Sequence, residues 1–257
     1  MSYYYNNYDG GRGGFLSNVP TVTRNLLIIN VIVFVATLIS ETMLNSDIMT
    51  RAFALFYPSS RYFRWWQPLT YMFMHANWQH IFFNMFALWM FGVTIENVMG
   101  QKRFLTYYLI CGIGAGLIQE LVQLIAYYAQ GLQAYEIVDL NGQMKMGMDV
   151  FLNSWTTVGA SGAIYGILLA FGMIFPEERI FIFPLPVPIK AKWFVMVYAA
   201  IELISGLASY GSSNVAHFAH LGGMLFGFLL IRHWQNRGGG NRRFFTGRRP
   251  MNRFFRQ

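Results

Sequence analysis

The chain has 257 residues, 55% of them hydrophobic and only 12% charged, with a formal net charge of +8. Soluble domains carry about 25% charged residues, so this composition excludes an ordinary water-soluble domain, and its long apolar blocks point to an integral membrane protein. The single cysteine, Cys111, excludes a disulfide framework and paired-cysteine metal or redox chemistry.

Residues 1–24 open with a Tyr-, Asn- and Gly-rich stretch. It has neither the apolar run of a signal peptide nor the many arginines of a transit peptide, and reads as a disordered head. Six apolar segments follow, at Leu26–Leu44, Trp78–Val98, Phe104–Tyr128, Thr157–Phe175, Trp193–Tyr210 and Asn214–Trp234. Each approaches the ~20 residues that cross a bilayer as a helix. They are too long and too uniformly apolar for barrel strands, so the expected fold is an all-α polytopic bundle of six transmembrane helices over residues 25–235.

Fifteen of the nineteen Lys and Arg residues fall on one set of connecting segments. Only Arg51, Arg61, Arg64 and Lys145 fall on the other. The positive-inside rule then places both termini in the cytoplasm, and the loops 45–77, 129–156 and 211–213 outside. The basic Arg/Phe-rich tail, residues 236–257, reads first as a flexible topogenic segment. Its arginines and phenylalanines also suit anionic lipid or RNA, although no nucleic-acid partner is expected.

Several spans carry polar residues at helical spacing. His80 and Asn84 lie four apart in the second, and Ser161 and Tyr165 four apart in the fourth. His220, Gly223 and Gly227 share one face of the sixth. Polar groups inside a membrane are costly and mark functional interiors. Counting ~1.5 Å per residue from the cytoplasmic ends puts Ser161, His220 and Asn84 about 18–25 Å up a ~30 Å core. Gly162, Gly166 and Ala170 on the fourth span, with Gly223 and Gly227 on the sixth, would let the two helices approach closely and bring His220 to Ser161.

Serine needs a base to act as a nucleophile, and a neutral imidazole supplies one. The Asn84 amide, the His80 ring N–H and the Ser161 backbone N–H are candidate oxyanion donors, and Tyr165 is placed to stack on the imidazole. No Asp or Glu has an obvious path to His220, so the expected arrangement is a dyad.

Each piece also has a plainer reading. Gly159-Ala160-Ser161-Gly162 alone is a common packing patch, and His217 rivals His220 and with it forms a possible metal pair. His75 and Trp78 read as anchors of the outer interface or its loop. Gly112-Ile113-Gly114-Ala115-Gly116 reads as helix packing rather than a nucleotide loop. Glu96, Glu120 and Glu202 read as bonds to neighbouring helices, or as parts of a transporter. Zinc-protease and aspartyl-protease chemistries lack their residues: there is no His-Glu-x-x-His, and Asp9, Asp47, Asp139 and Asp149 all lie outside the spans.

Taken together, these motifs resemble the rhomboid intramembrane serine proteases of six-span bacterial type. The resemblance runs from about Trp66 to Gly227. It rests on His75 upstream of His80-x-x-x-Asn84, on Gly92-x-x-x-Glu96-x-x-x-Gly100, on Gly159-Ala160-Ser161-Gly162 with Tyr165, and on Ala219-His220-x-x-Gly223-x-x-x-Gly227. It favours His220 over His217. Trp66-Gln67 departs from the Trp-Arg of many members, which bears on a contact in the first outer loop, and the loop 129–156 is long.

The resemblance implies an endopeptidase for single-pass membrane proteins, cutting near the outer face of a bacterial inner membrane. Ser161 would be the nucleophile and His220 the general base, with His80, Asn84 and the Ser161 N–H as oxyanion donors. Tyr165, Gly159, Gly162, Gly223 and Gly227 would support them, without cofactor or metal. By position, the second and fifth spans would form a lateral gate. The alternative is a catalytically inactive relative that binds membrane proteins.

Overall fold

The computed structural model describes residues 18–140, 144–181, 187–208 and 217–237. Six main helices organise them: α1 (Thr21–Thr42), α2 (Trp78–Met99), α3 (Gln101–Ala129), α4 (Ser161–Ile174), α5 (Ala191–Ala208) and α6 (His217–Arg237). Of these, α1, α2, α3 and α5 are long and apolar enough to cross a membrane, and α4 is an apolar helix of 14 residues. A wide π-type turn at Leu88–Gly92 interrupts α2, a feature common near functional sites.

Centrally, α6 packs on α3 and α4, and α5 lies against α4 and α6. The core is tight and aromatic, with Phe104, Tyr107, Tyr108, Cys111 and Ile167 fully buried. Outward faces are apolar too, as lipid-facing surfaces must be: Ile28 and Ile32 on α1, Phe82 and Phe83 on α2, and Met196 and Ile204 on α5 are exposed. Some interior hydroxyls bond to the backbone of a neighbouring helix. The Tyr71 hydroxyl donates to the Gly112 carbonyl (2.6 Å) and the Tyr107 hydroxyl to the Gly166 carbonyl (2.7 Å). The glycines of α3 serve packing: a Cβ on Gly116 would come 2.9 Å from the Tyr71 ring, and one on Gly112 3.0 Å from the Met72 sulfur.

The first turn of a helix leaves four N–H groups without intrahelical partners. In α1 two of them are taken by the Glu96 carboxylate, which accepts from the N–H groups of Val22 (2.9 Å) and Thr23 (2.7 Å) and from the Thr23 hydroxyl (2.8 Å). This cap lets α1 begin at Thr21, inside the stretch expected to be a disordered head. The helix therefore corrects that boundary, while residues 1–17 lie outside the described residues. Gly100, at φ +78°, makes the turn from α2 into α3, a conformation glycine adopts at little cost. At the far end α6 continues to Arg237, past the expected boundary at 235, and the rest of the basic tail lies outside the described residues.

The segment between α1 and α2 is structured. It contains a short helix (Ile48–Phe53), a two-residue strand (Leu55–Phe56) and turns at Gln67–Thr70 and Tyr71–Phe73. Gln67 is fully buried at its centre. Its amide oxygen accepts from Phe56 N–H (3.3 Å) and Arg64 N–H (3.1 Å), and its amide nitrogen donates to the carbonyls of Arg51 (3.0 Å) and Tyr62 (2.8 Å). The departure at position 67 thus has a function of its own, since glutamine brings both donor and acceptor to this loop.

Leu55 and Phe56 pair antiparallel with Thr157 and Thr156, and the Gly159 N–H donates to the Tyr71 carbonyl (3.0 Å). These contacts hold the chain extended where the apolar pattern predicts helix from Thr157. The fourth helix consequently starts at Ser161, four residues later than expected.

Candidate active site

Ser161 is the first residue of α4. Its backbone N–H has no intrahelical partner for that reason, and the helix dipole favours negative charge beside it. Gly159, two residues earlier, has φ +126°, and a Cβ there would sit 2.7 Å from both Cε1 and Nε2 of His80. Glycine is thus demanded twice, by its backbone conformation and by the histidine beside it.

The α4–α6 seam brings the base to the serine. A Cβ on Gly223 would overlap the Gly162 carbonyl, and one on Gly166 would lie 3.2 Å from the Gly223 carbonyl. Small residues permit this approach of two backbones. One turn further on, Gly227 faces Tyr107 and Cys111 of α3 instead. At the open end of the seam His220 Nε2 lies 2.8 Å from Ser161 Oγ. Tyr165 stacks on the His220 ring, with centroids 4.2 Å apart and planes 7° from parallel.

On the other side, His80 Nδ1 accepts a long bond from Ala76 N–H (3.4 Å), so the ring carries its proton on Nε2, the atom facing Gly159. Asn77 caps α2 by accepting from the His80 N–H (2.8 Å), which fixes where His80 enters the helix. Asn84, one turn on, is buried, and its Nδ2 has no hydrogen-bond partner. A buried amide donor left unpaired costs about 1–3 kcal/mol, so an acceptor that arrives during a reaction is favoured. His75 is buried against His80, with ring centroids 5.1 Å apart. It thus anchors the loop from within, behind that histidine, whereas Trp78 is exposed.

One expectation is overturned. A carboxylate does reach the histidine: Glu202 of α5 places Oε1 3.0 Å from His220 Nδ1 and Oε2 2.6 Å from His217 Nδ1. The Tyr165 hydroxyl donates to Oε1 as well. Nδ1 of His220 nevertheless forms no well-aligned hydrogen bond, because Oε1 sits off the line of the ring N–H. Glu202 does bond to its neighbouring helices, as expected of an intramembrane carboxylate. It does so beside the base, and the expectation that no carboxylate has a path to His220 is thereby corrected. The signal available in the sequence was one carboxylate inside the fifth apolar span. Which helix it faces depends on how α5 packs. The candidate ligand atoms of Glu202, His217 and His220 lie within 4.8 Å of one another, a donor set that could also hold a metal ion.

Residues 62–234 match the rhomboid domain. The chain belongs to the rhomboid family. Within this rhomboid domain fall α2 to α5, α6 up to its last three residues and every candidate site residue, while α1 precedes the matched region.

Among curated proteins the chain is similar to the rhomboid protease AarA of Providencia stuartii, at 33% identity over 65% of this chain and 54% of that protein. It is also similar to the mitochondrial rhomboid protein 1 of Saccharomyces cerevisiae, at 30% identity over 61% of this chain and 38% of that protein. The human mitochondrial presenilin-associated rhomboid-like protein is 28% identical over 64% of this chain and 38% of its own length. The rhomboid chain described here thus matches about half or less of each relative's length. With its rhomboid domain and its long apolar helices, the fold is a multi-pass helical membrane bundle.

Proposed function

We propose that this rhomboid is an active intramembrane serine endopeptidase that cleaves transmembrane segments of single-pass membrane proteins near the outer face. The observation that carries the reading is the 2.8 Å contact between Ser161 Oγ and His220 Nε2 beside the unpaired Asn84 amide.

In the proposed reaction His220 Nε2 takes the Ser161 proton as Oγ attacks the scissile carbonyl. Negative charge gathers on the carbonyl oxygen, within a ring of donors formed by the Ser161 backbone N–H, the Asn84 amide and the His80 Nε2–H. The tetrahedral intermediate collapses, the peptide C–N bond breaks and His220 gives its proton to the leaving amine. Water, deprotonated by the same histidine, then hydrolyses the acyl-enzyme.

The short α4 supports a submerged site. Its 14 residues span about 21 Å, less than the ~30 Å apolar core, so Ser161 at its end sits below the membrane surface. With six spans, the charge asymmetry of the connecting segments supports both termini being cytoplasmic, and the membrane taken in this reading is a bacterial inner membrane. The exposed aromatic face of α2 and the outer face of α5 with Trp193 suit a lateral path for a substrate helix.

The test is cleavage of a single-span reporter by wild type, Ser161→Ala and His220→Ala, with fluorophosphonate labelling alongside. Both variants are expected to fall to background, with labelling lost in Ser161→Ala. Equal turnover by all three would leave the inactive, membrane-protein-binding alternative in its place.

A further inference from the structure

We propose that Glu202 is a positioning residue that converts the Ser161–His220 pair into a three-membered Ser161–His220–Glu202 relay. This inference rests on the protease reading above.

For His220 Nε2 to accept a proton from Ser161, the ring must hold its own proton on Nδ1. Glu202 Oε1 is 3.0 Å from that atom. The ring is thus bracketed along its two nitrogens, serine at one end and carboxylate at the other, with Tyr165 flat against its face. Each of the three helices around the seam supplies one member: Ser161 from α4, His220 from α6 and Glu202 from α5.

Glu202 is itself held in place. Its side chain is 9% exposed, and a buried carboxylate is tolerated only with donors around it. Tyr165 supplies one donor to Oε1, and His217 lies at Oε2. In the resting arrangement Oε1 accepts from the Tyr165 hydroxyl and lies off the line of the His220 N–H. Catalytic hydrogen bonds are often misaligned before substrate binds and tighten later. When Ser161 attacks, the O–H bond breaks, the proton passes to Nε2 and the ring becomes an imidazolium. Its positive charge then sits beside the Glu202 carboxylate, which stays ionised and takes no proton. Attraction between opposite charges at this distance in a partly desolvated site is substantial. It exists after the proton has moved and not before, so it lowers the barrier without tightening substrate binding.

A purely structural Glu202, gluing α5 to α6 through His217, makes a different prediction. The experiment compares the full-length wild type with Glu202→Gln in kcat, KM and melting temperature on the reporter substrate, with Ser161→Ala and His220→Ala as references. The relay predicts a kcat lower by about 10- to 100-fold in Glu202→Gln, with KM unchanged, fluorophosphonate labelling slowed in parallel and melting temperature nearly constant. The pair Glu202→Asp and Glu202→Asn isolates charge at equal size, and covers the case in which glutamine impairs folding. Asp is expected to exceed Asn in kcat by tenfold or more.

Wild-type kcat in Glu202→Gln, or equal kcat for Asp and Asn, would overturn the relay. So would a loss of wild-type activity on adding EDTA, which would mean that an ion holds the cluster. Activity that persists in Ser161→Ala would instead sink the protease reading, so the two failures are distinguishable.

Discussion

Two buried carboxylates, Glu96 and Glu202, are both less than a tenth exposed and hold different kinds of partner. Glu96 is met by two backbone N–H groups and one hydroxyl at the start of α1. Those donors belong to a helix end and cannot change charge. Glu202 is met by two imidazoles and a phenol. Around Glu96 the observed bonds close the region. Around Ser161, two buried nitrogens, Asn84 Nδ2 and His220 Nδ1, are left without a well-formed bond. The same residue type is structural where its partners are fixed dipoles. It stands beside the proposed reacting groups where its partners are ring nitrogens and a hydroxyl and donors are left unused.

Substitutions should separate the two regions. The largest effect is expected from Asn84→Ala, which removes an unused donor. The reporter cleavage rate should fall about 100- to 1,000-fold with the melting temperature nearly unchanged, and a rate within threefold of wild type would remove Asn84 from the oxyanion site. Glu96→Ala should do the reverse. Two helix N–H groups and a hydroxyl lose their acceptor, a destabilisation of about 2–4 kcal/mol. Thermal unfolding in detergent would register it, while kcat of the folded fraction stays near wild type. A large drop in kcat without a stability loss would merge the two regions.

A smaller effect concerns pH. Burial, and secondarily the neighbouring His80, push the His75 imidazole down from the ordinary 6.5 to about 3. Between those values the unfolded chain takes up a proton at His75 that the folded chain refuses, so folding stability falls as pH drops from 6.5 toward 3. His75→Phe should flatten that part of a plot of melting temperature against pH. An unchanged slope would assign the acid sensitivity to other groups.

Much of the site was legible because lipid makes polar residues conspicuous. His80, Asn84, Ser161 and His220 stand out from apolar runs, and helical spacing assigns each to a face. The close seam was legible too, since Gly162, Gly166 and Gly223 mark where two backbones meet. Less legible were features that depend on distant pairing. The start of α4 moved because Thr156 and Thr157 pair with residues a hundred positions earlier. The start of α1 moved because Glu96, more than seventy positions later, caps it.

By itself, then, the sequence determined which segments are apolar helices, which side chains are polar within them, and which helix faces carry them. Run length and 3.6-residue spacing are local properties, and they survive whatever the rest of the chain does. Tertiary structure alone decided where α4 begins, that His75 lies buried behind His80, and that Glu202 of α5 reaches His220. Each of these depends on the packing of one helix or loop against another far away in the chain, and no local pattern encodes such a distance.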